Sequence, residues 1–353
     1  MPLDATTRCA FVIPGDITLP TGGYGYDRRV LATFSDHGIE ASHVAIAGSY
    51  PDPTREDFHA TALAIAKTPK DAILLFDGLA YAVIPPALIR GFGRPIVALV
   101  HHPLCLEAGL DAVRAAELRE MEIAALAEAQ HVVVTSAMTG RTLVSDFGVP
   151  AANITVAEPG TDRATRATGS GQQRVHLLAV GSIIPRKGYD VLVAALAGLT
   201  SRDWHLTIAG AERDADTAAT VRSAVDNAGL SKHVTFKGAV GDTELAALYA
   251  AADLFVMPSL FEGYGMVLTE AMARGLPIIC TTGGAAAETC PDAAALKVEP
   301  GNPNAFRQAL TSLLADNKLR QRMSDASWTA AQTLPTWDDT TRRIAAALKG
   351  LAG

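Results

Sequence analysis

Residues 254–281 read LFVMPSLFEGYGMVLTEAMARGLPIICT. The apolar run Leu254–Met257 suits a short strand buried on both faces. Gly263 and Gly265 make helix unfavourable until about Met266, where a helical pattern begins. A second apolar run, Pro277–Thr281, follows. Strand, helix and strand in this order form a crossover between parallel strands. In such sheets the ligand lies beyond the carboxyl ends of the strands. Glu262 therefore belongs to a strand-end loop, and Glu270 to the helix after it.

The same alternation extends in both directions. Expected strands are Cys9–Ile13, Ala41–Ile46, Ala72–Phe76, Ile96–Val100, His131–Thr135 and Ile154–Val156. A second series is Val175–Val180, His205–Ala209, Val234–Lys237, Leu254–Met257 and Pro277–Thr281. Between them lie alanine-rich helical stretches, the clearest being Leu110–Gln130, which is long and free of Gly and Pro. Nearly continuous apolar strands alternating with helices predict α/β sheets covered on both faces. Glu158–Asp162 closes the first series, and the polar, Gly-containing segment 163–173 (RATRATGSGQQ) suits a linker. The expectation is two Rossmann-like domains, 1–162 and 163–334, facing a cleft.

The chain has 353 residues, 49% hydrophobic and 19% charged, which suits two folded domains and excludes disorder as its main state. Net charge is −7. Residues 1–162 carry 11 Lys+Arg against 19 Asp+Glu, a net of −8, so the first half holds all of the negative excess. That balance disfavours nucleic acid as a partner. Cys9, Cys105, Cys280 and Cys290 show no CxxC spacing, which argues against zinc and for reduced core thiols in the cytoplasm. The start, MPLDATTRCAFVIPGD, reads as no signal peptide, and no apolar run approaches the roughly 20 residues of a membrane span.

Four strand-end stretches carry polar residues. Thr21-Gly22-Gly23-Tyr24-Gly25 could bring backbone N–H groups close to an anion or a sugar, or be a plain turn. His101-His102 ends the Ile96–Val100 strand; core histidines are the alternative, and no HExxH partner suggests a metal. Val180–Gly188 (VGSIIPRKG) places Arg186 and Lys187 before a helix beginning at Tyr189, which makes an anion site or a solvated basic turn. It does not match a P-loop. Glu262 and Glu270 are eight residues apart, about 12 Å along a continuous helix at roughly 1.5 Å per residue. That distance fits the span of a nucleotide sugar, with N–H groups near 265–267 open to a phosphate between the carboxylates.

With these stretches in place, the chain resembles the retaining glycosyltransferases of the GT-B fold, family 4 type, through the EX7E pattern of Glu262 and Glu270. The match is dense over VGSIIPRKGYDVLVAAL, HLTIAG and VTFKGAVGDTELAALYAAADLFVMPSLFEGYGMVLTEAMARGLPII. It is sparser over TGGYG, PIVALVHH and EPGTD. The resemblance implies an acceptor-binding first domain, rejoined by a terminal helix at about 335–353, and a donor-binding second domain. Glu270 would bind the ribose, and Glu262 the donor hexose. Lys187, with Arg186, would hold the diphosphate near Gly181 and Ser182. Backbone across Gly263, Tyr264, Gly265, Met266 and Val267 would take the distal phosphate. Gly238 and Val240 would meet the base, and Gly22 and Gly23 a phosphate or the acceptor. His101 would contact the transferred sugar, orienting and stabilising it without acting as a base. Tyr24 and His102 are acceptor candidates. Ser182 departs from the pattern, because many members carry Arg there; either Arg186 reaches the same phosphate or Lys187 acts with less help.

The implied reaction moves a hexosyl group with retention from a nucleotide diphosphate sugar, UDP-hexose before GDP-mannose, to a hydroxyl of a sugar or other small soluble acceptor. No metal or cofactor is implied. The acidic first half argues against tight association with anionic membranes. Two alternatives remain: a nucleotide-sugar-binding protein without turnover, and a transferase acting on a lipid-linked glycan.

Overall fold

The computed structural model describes residues 6–352. Residues 1–5, where the N-terminal stretch read for a leader begins, and Gly353 lie outside the described residues. The chain divides into two compact units: the chain up to Gly160 together with the segment from Pro335, and Thr161–Leu334.

The first unit is built on a six-stranded sheet of β1 (Thr7–Pro14), β2 (Ile39–Ile46), β3 (Ile73–Asp77), β4 (Ile96–Val100), β5 (His131–Val134) and β6 (Ile154–Val156). Its order is β2-β1-β3-β4-β5-β6, and every neighbouring pair is parallel. The order reverses between β1 and β3, the place where parallel sheets open a ligand crevice. Strands β3 and β4 are buried at every position, as their unbroken apolar sequences require. The helix Trp337–Leu351 belongs to this unit. Thr336 and Asp339 form a capping box at its start. Thr340 donates to the Glu158 carbonyl at 2.6 Å and Arg343 to the Val156 carbonyl at 3.0 Å.

The second unit has β7 (Val175–Val180), β8 (Trp204–Ala209), β9 (Val234–Gly238), β10 (Leu254–Met257), β11 (Ile278–Thr281) and β12 (Ala295–Val298). The order β12-β11-β10-β7-β8-β9 reverses between β7 and β10. Alternate residues of β7 enter different cores: Leu177 and Ala179 pack with the Tyr189–Ala197 helix, and Leu178 packs with Leu268 and Met272. Both faces of this sheet are therefore covered.

Three sequence readings change. The helix expected over 110–130 runs Ala112–Leu126. Its expected tail is instead pinned to β4, where the Gln130 side chain accepts from the Ile96 N–H at 2.6 Å. The stretch 163–173 has no helix or strand, but it is not a loose linker. The Ala167 N–H donates to the Arg274 carbonyl, Ser170 donates to Asp253 at 2.6 Å, and Ala164 and Ala167 pack on the core of the second unit. The edge strand β12 was not expected. Of the four cysteines, Cys9, Cys280 and Cys290 are buried and Cys105 is half-buried. No helix among the described residues is long and apolar enough to cross a membrane.

Candidate functional site

The polar strand-end residues of the second unit gather at its reversal point. After β7 the chain makes a short 3-10 turn, Pro185–Lys187, ended by Gly188 in the left-handed region at φ 61°. The Arg186 carbonyl accepts from the Leu260 N–H at 2.8 Å, so the loop after β7 is tied to the loop after β10. Arg186 donates to the Phe261 carbonyl at 2.7 Å and to Glu262 Oε2 at 3.2 Å. Lys187 Nζ donates to Glu262 Oε1 at 2.6 Å. All three side chains are largely buried. Burial alone would raise the Glu262 carboxyl, but Lys187 and Arg186 outweigh it and hold it down at about 2. One carboxylate is thus held between two cations where the strand ends meet.

Gly188 is a position where glycine is required. A Cβ there would stand 2.4 Å from the Pro258 carbonyl oxygen, on a backbone already left-handed. Gly188→Ala is expected to cost about 1–3 kcal/mol. It should also displace Arg186 and Lys187, lowering both the melting temperature and any ligand-induced shift. An unchanged melt would remove the glycine from this account.

Glu270 lies in the Met266–Met272 helix, in a bonded group of its own. Tyr249 Oη donates to its Oε2 at 2.9 Å. The Arg274 guanidinium lies 4.4 Å from the centre of the Tyr249 ring and donates to the Glu270 carbonyl. Burial raises the Glu270 carboxyl, opposed by Tyr249 and Arg274. Gly265 is left-handed at φ 89°, which ends the loop and lets the helix start at Met266. Gly263, Met266 and Val267 are half-buried and Tyr264 is buried. Gly181 lies against the Lys187 stem: a Cβ there would meet Cε at 3.3 Å. Ser182 and Val240 are half-buried, and Gly238 ends β9 at φ 68°.

In the first unit the Gly22–Thr33 helix begins within the glycine stretch, with Thr21 as its N-cap accepting from the Tyr24 N–H. Gly22 is exposed and Gly23 half-buried. The Tyr24 hydroxyl, an acceptor candidate from the sequence, donates to the Pro14 carbonyl at 2.7 Å. His102 pairs with Glu107 at 3.1 Å. His101 turns to a different group. Its Nε2 is 3.6 Å from Asp27 Oδ1 and 3.6 Å from Asp77 Oδ2. Atoms of these three side chains all lie within 4.8 Å of one another. Burial would lower the His101 imidazole, but the two carboxylates outweigh it and raise it to about 10.

Asp27 and Asp77 were missed from the sequence, although two signals point to them. Asp77 ends a buried apolar strand, the criterion that selected His101. Asp27 is four residues after Gly23, one turn on, and so shares its helix face.

Two family models match this chain. Residues 161–328 match the glycosyl transferases group 1 model, and residues 25–165 match the Glycosyltransferase Family 4 model. The chain belongs to the family 4 glycosyltransferases. The MMP alpha-(1->4)-mannosyltransferase of Mycolicibacterium hassiacum is 28% identical over 73% of this chain and 68% of its own length. The GDP-mannose-dependent alpha-(1-6)-phosphatidylinositol monomannoside mannosyltransferase of Mycobacterium tuberculosis is 33% identical over 62% of this chain and 61% of its length. The D-inositol 3-phosphate glycosyltransferase of Corynebacterium glutamicum is 32% identical, and the match spans about half of that relative (49%). Among solved structures, sucrose-phosphate synthase of Thermosynechococcus elongatus matches with a TM-score of 0.80 at 21% identity, covering 98% of this chain and 99% of that one. Anabaena HepE, in complex with UDP and glucose, matches with a TM-score of 0.80 at 16% identity, covering 97% and 100%. The fold is GT-B.

Proposed function

We propose that this family 4 member transfers a hexosyl group from a nucleotide diphosphate sugar to a hydroxyl of a sugar or other small acceptor, with retention of configuration and without a metal. The observation that carries the reading is the Arg186–Lys187–Glu262 group at the β7/β10 reversal, in the unit that matches the group 1 model. Breaking the anomeric C–O bond moves charge onto the departing diphosphate. Fixed cations and N–H dipoles stabilise that charge more than they stabilise the ground state. Lys187 is assigned to the diphosphate, aided by Arg186 and by backbone N–H groups near Gly265–Val267. Glu270 is assigned to the ribose, and Glu262, whose orientation both cations fix, to the hexose. Gly238 and Val240 are assigned to the base, and His101 to the transferred sugar. The departing phosphate oxygen takes the acceptor proton, so no separate base is required.

UDP-hexose is the first donor to test. GDP-mannose is the second, because the M. tuberculosis relative is named for it. A panel of UDP-, GDP- and ADP-sugars read by thermal shift identifies the donor: a ligand at 100 times its dissociation constant adds about 2.7 kcal/mol. Glu270→Ala is expected to lose most of that shift for the true donor while folding normally. Transfer is then assayed in EDTA, and the anomeric configuration of the product read by NMR. An inverted product, or a donor-bound protein with neither transfer nor donor hydrolysis, would refute the proposal.

A further inference from the structure

The group formed by Asp27, Asp77 and His101 is unusual in its burial. Asp27 is fully buried, and neither of its carboxylate oxygens has a hydrogen-bond partner within 3.5 Å. Asp77 is 3% exposed, and its Oδ1 accepts from the Leu79 N–H at 2.7 Å, capping the helix Gly78–Tyr81. That bond prevents the Asp77 carboxylate from turning away. His101 Nε2 is itself buried and lacks a closer partner than these two carboxylates. Two carboxylates and an imidazole at this spacing can share a cation or a proton.

Three observations favour the proton. First, Nε2 is equidistant from the two acids, at 3.6 Å from each. An unprotonated Nε2 would aim its lone pair at two carboxylates, so this nitrogen carries hydrogen. Second, the ring is clamped. The Tyr26 ring meets it edge to face, with centroids 5.3 Å apart at 88°, and Tyr26 is fixed by its own bond to the Ala157 carbonyl. A Cβ on Gly23 would lie 3.5 Å from Nε2, so the glycine backbone closes that side. Third, charge balance favours a cation here, because two ionised acids sharing a buried site repel each other. Neutral His101 would leave the buried acids without compensation, an arrangement that costs several kcal/mol.

We propose that Asp27 and Asp77 are positioning residues that hold His101 with Nε2–H turned inward and the ring doubly protonated, so that Nδ1–H is a permanent hydrogen-bond donor to an oxygen of the transferred sugar. This rests on the assignment of His101 to that sugar. It adds the reason that His101 cannot serve as the base. The titratable groups facing the ring are Asp27 and Tyr26 from the Gly22–Thr33 helix and Asp77 from the end of β3. Burial pushes Asp27 up to about 7 and Tyr26 well above its ordinary range. Over the working range the imidazole stays charged.

The test is two-bond ¹H–¹⁵N NMR of the full-length protein labelled at histidine, with the His101 signals identified by their loss in His101→Gln. No donor is added. Wild-type His101 is expected to show two protonated nitrogens and no titration between pH 5.5 and 8.5. Asp27→Asn, which keeps the shape and removes the charge, is expected to bring a His101 titration into the pH 6–8 range, and Asp77→Asn to do so as well. In transfer assays Asp27→Asn should reduce kcat about tenfold with little change in donor KM, and add a limb along which rate falls as pH rises. Four results would overturn the proposal. They are wild-type His101 titrating near 6.5, both variants keeping the wild-type charge state, a kcat and pH profile unchanged in Asp27→Asn, and Zn²⁺ or Mn²⁺ converting the His101 signals to a metal-bound neutral ring. The NMR arm reads the protein alone, so it separates this inference from the transferase reading. A protein that binds no nucleotide sugar but keeps a charged His101 sinks only the latter.

Discussion

Lys187→Ala is expected to lower kcat by about 10²- to 10³-fold at saturating donor, the cost typical of removing one preorganised group from a developing negative charge. The ammonium follows β7, at the reversal of the sheet, and is held by Glu262 at 2.6 Å. It lies against Gly181, where a side chain would crowd its stem. A donor diphosphate therefore meets a cation already oriented, and little reorganisation is needed as the bond breaks. Arg186 remains on Glu262 in the variant, so folding should survive. Steady-state rates, with donor affinity measured separately by thermal shift, divide the effect into turnover and binding. A variant turning over within twofold of wild type would remove Lys187 from the mechanism.

Glu262→Gln carries the second large effect, and it has a pH signature. The Glu262 carboxyl falls from 4.5 to about 2 on folding, because Lys187 and Arg186 outweigh its burial. At roughly 1.4 kcal/mol per pH unit this contributes about 3 kcal/mol. A carboxyl lowered on folding stabilises the protein above its unfolded value and loses that contribution as pH falls toward its folded value. The stabilisation is therefore complete above about pH 5 and disappears between about 4.5 and 2. Glu262→Gln should be destabilised by about 3 kcal/mol at pH 7, from removing the anion that both cations share. It should also show a shallower decline in stability than wild type between pH 5 and 2. Denaturant unfolding at a series of pH values checks both. Parallel declines for the two proteins would mean that Glu262 is not the titrating group.

Most strands were legible because they are short, nearly unbroken apolar runs between helical stretches. Strand β12 was not, since its sequence, ALKV, pairs only with β11 and places Lys297 in the middle. That lysine is accommodated at the sheet edge, where Nζ reaches the Ala287 carbonyl and Asp292. The segment 163–173 shows the reverse error. Its polar composition predicts a linker, yet its polar groups are the ones that bond it to Asp253 and Arg274. Among the candidate residues of the two units, His101, Lys187, Arg186, Glu262 and Glu270 were singled out because each ends a strand or follows one. What Arg186 contacts could not be read. Its guanidinium spans to Glu262, 76 residues away, and that contact exists only because β7 and β10 are neighbours.

The sequence by itself determined two parallel α/β units, the loops that carry polar residues and the family to which they belong. The units and the loops follow from local periodicity and from residue types at strand ends; the family follows from the resemblance carried by the EX7E pattern and its neighbouring stretches. The tertiary structure decided which of those residues share charge. Asp27, Asp77 and His101 come from three separate elements, brought together because β3 lies between β1 and β4. Ion pairing depends on a few ångströms of separation and on burial. Both are set by the order of strands in a sheet, which no local stretch of sequence encodes.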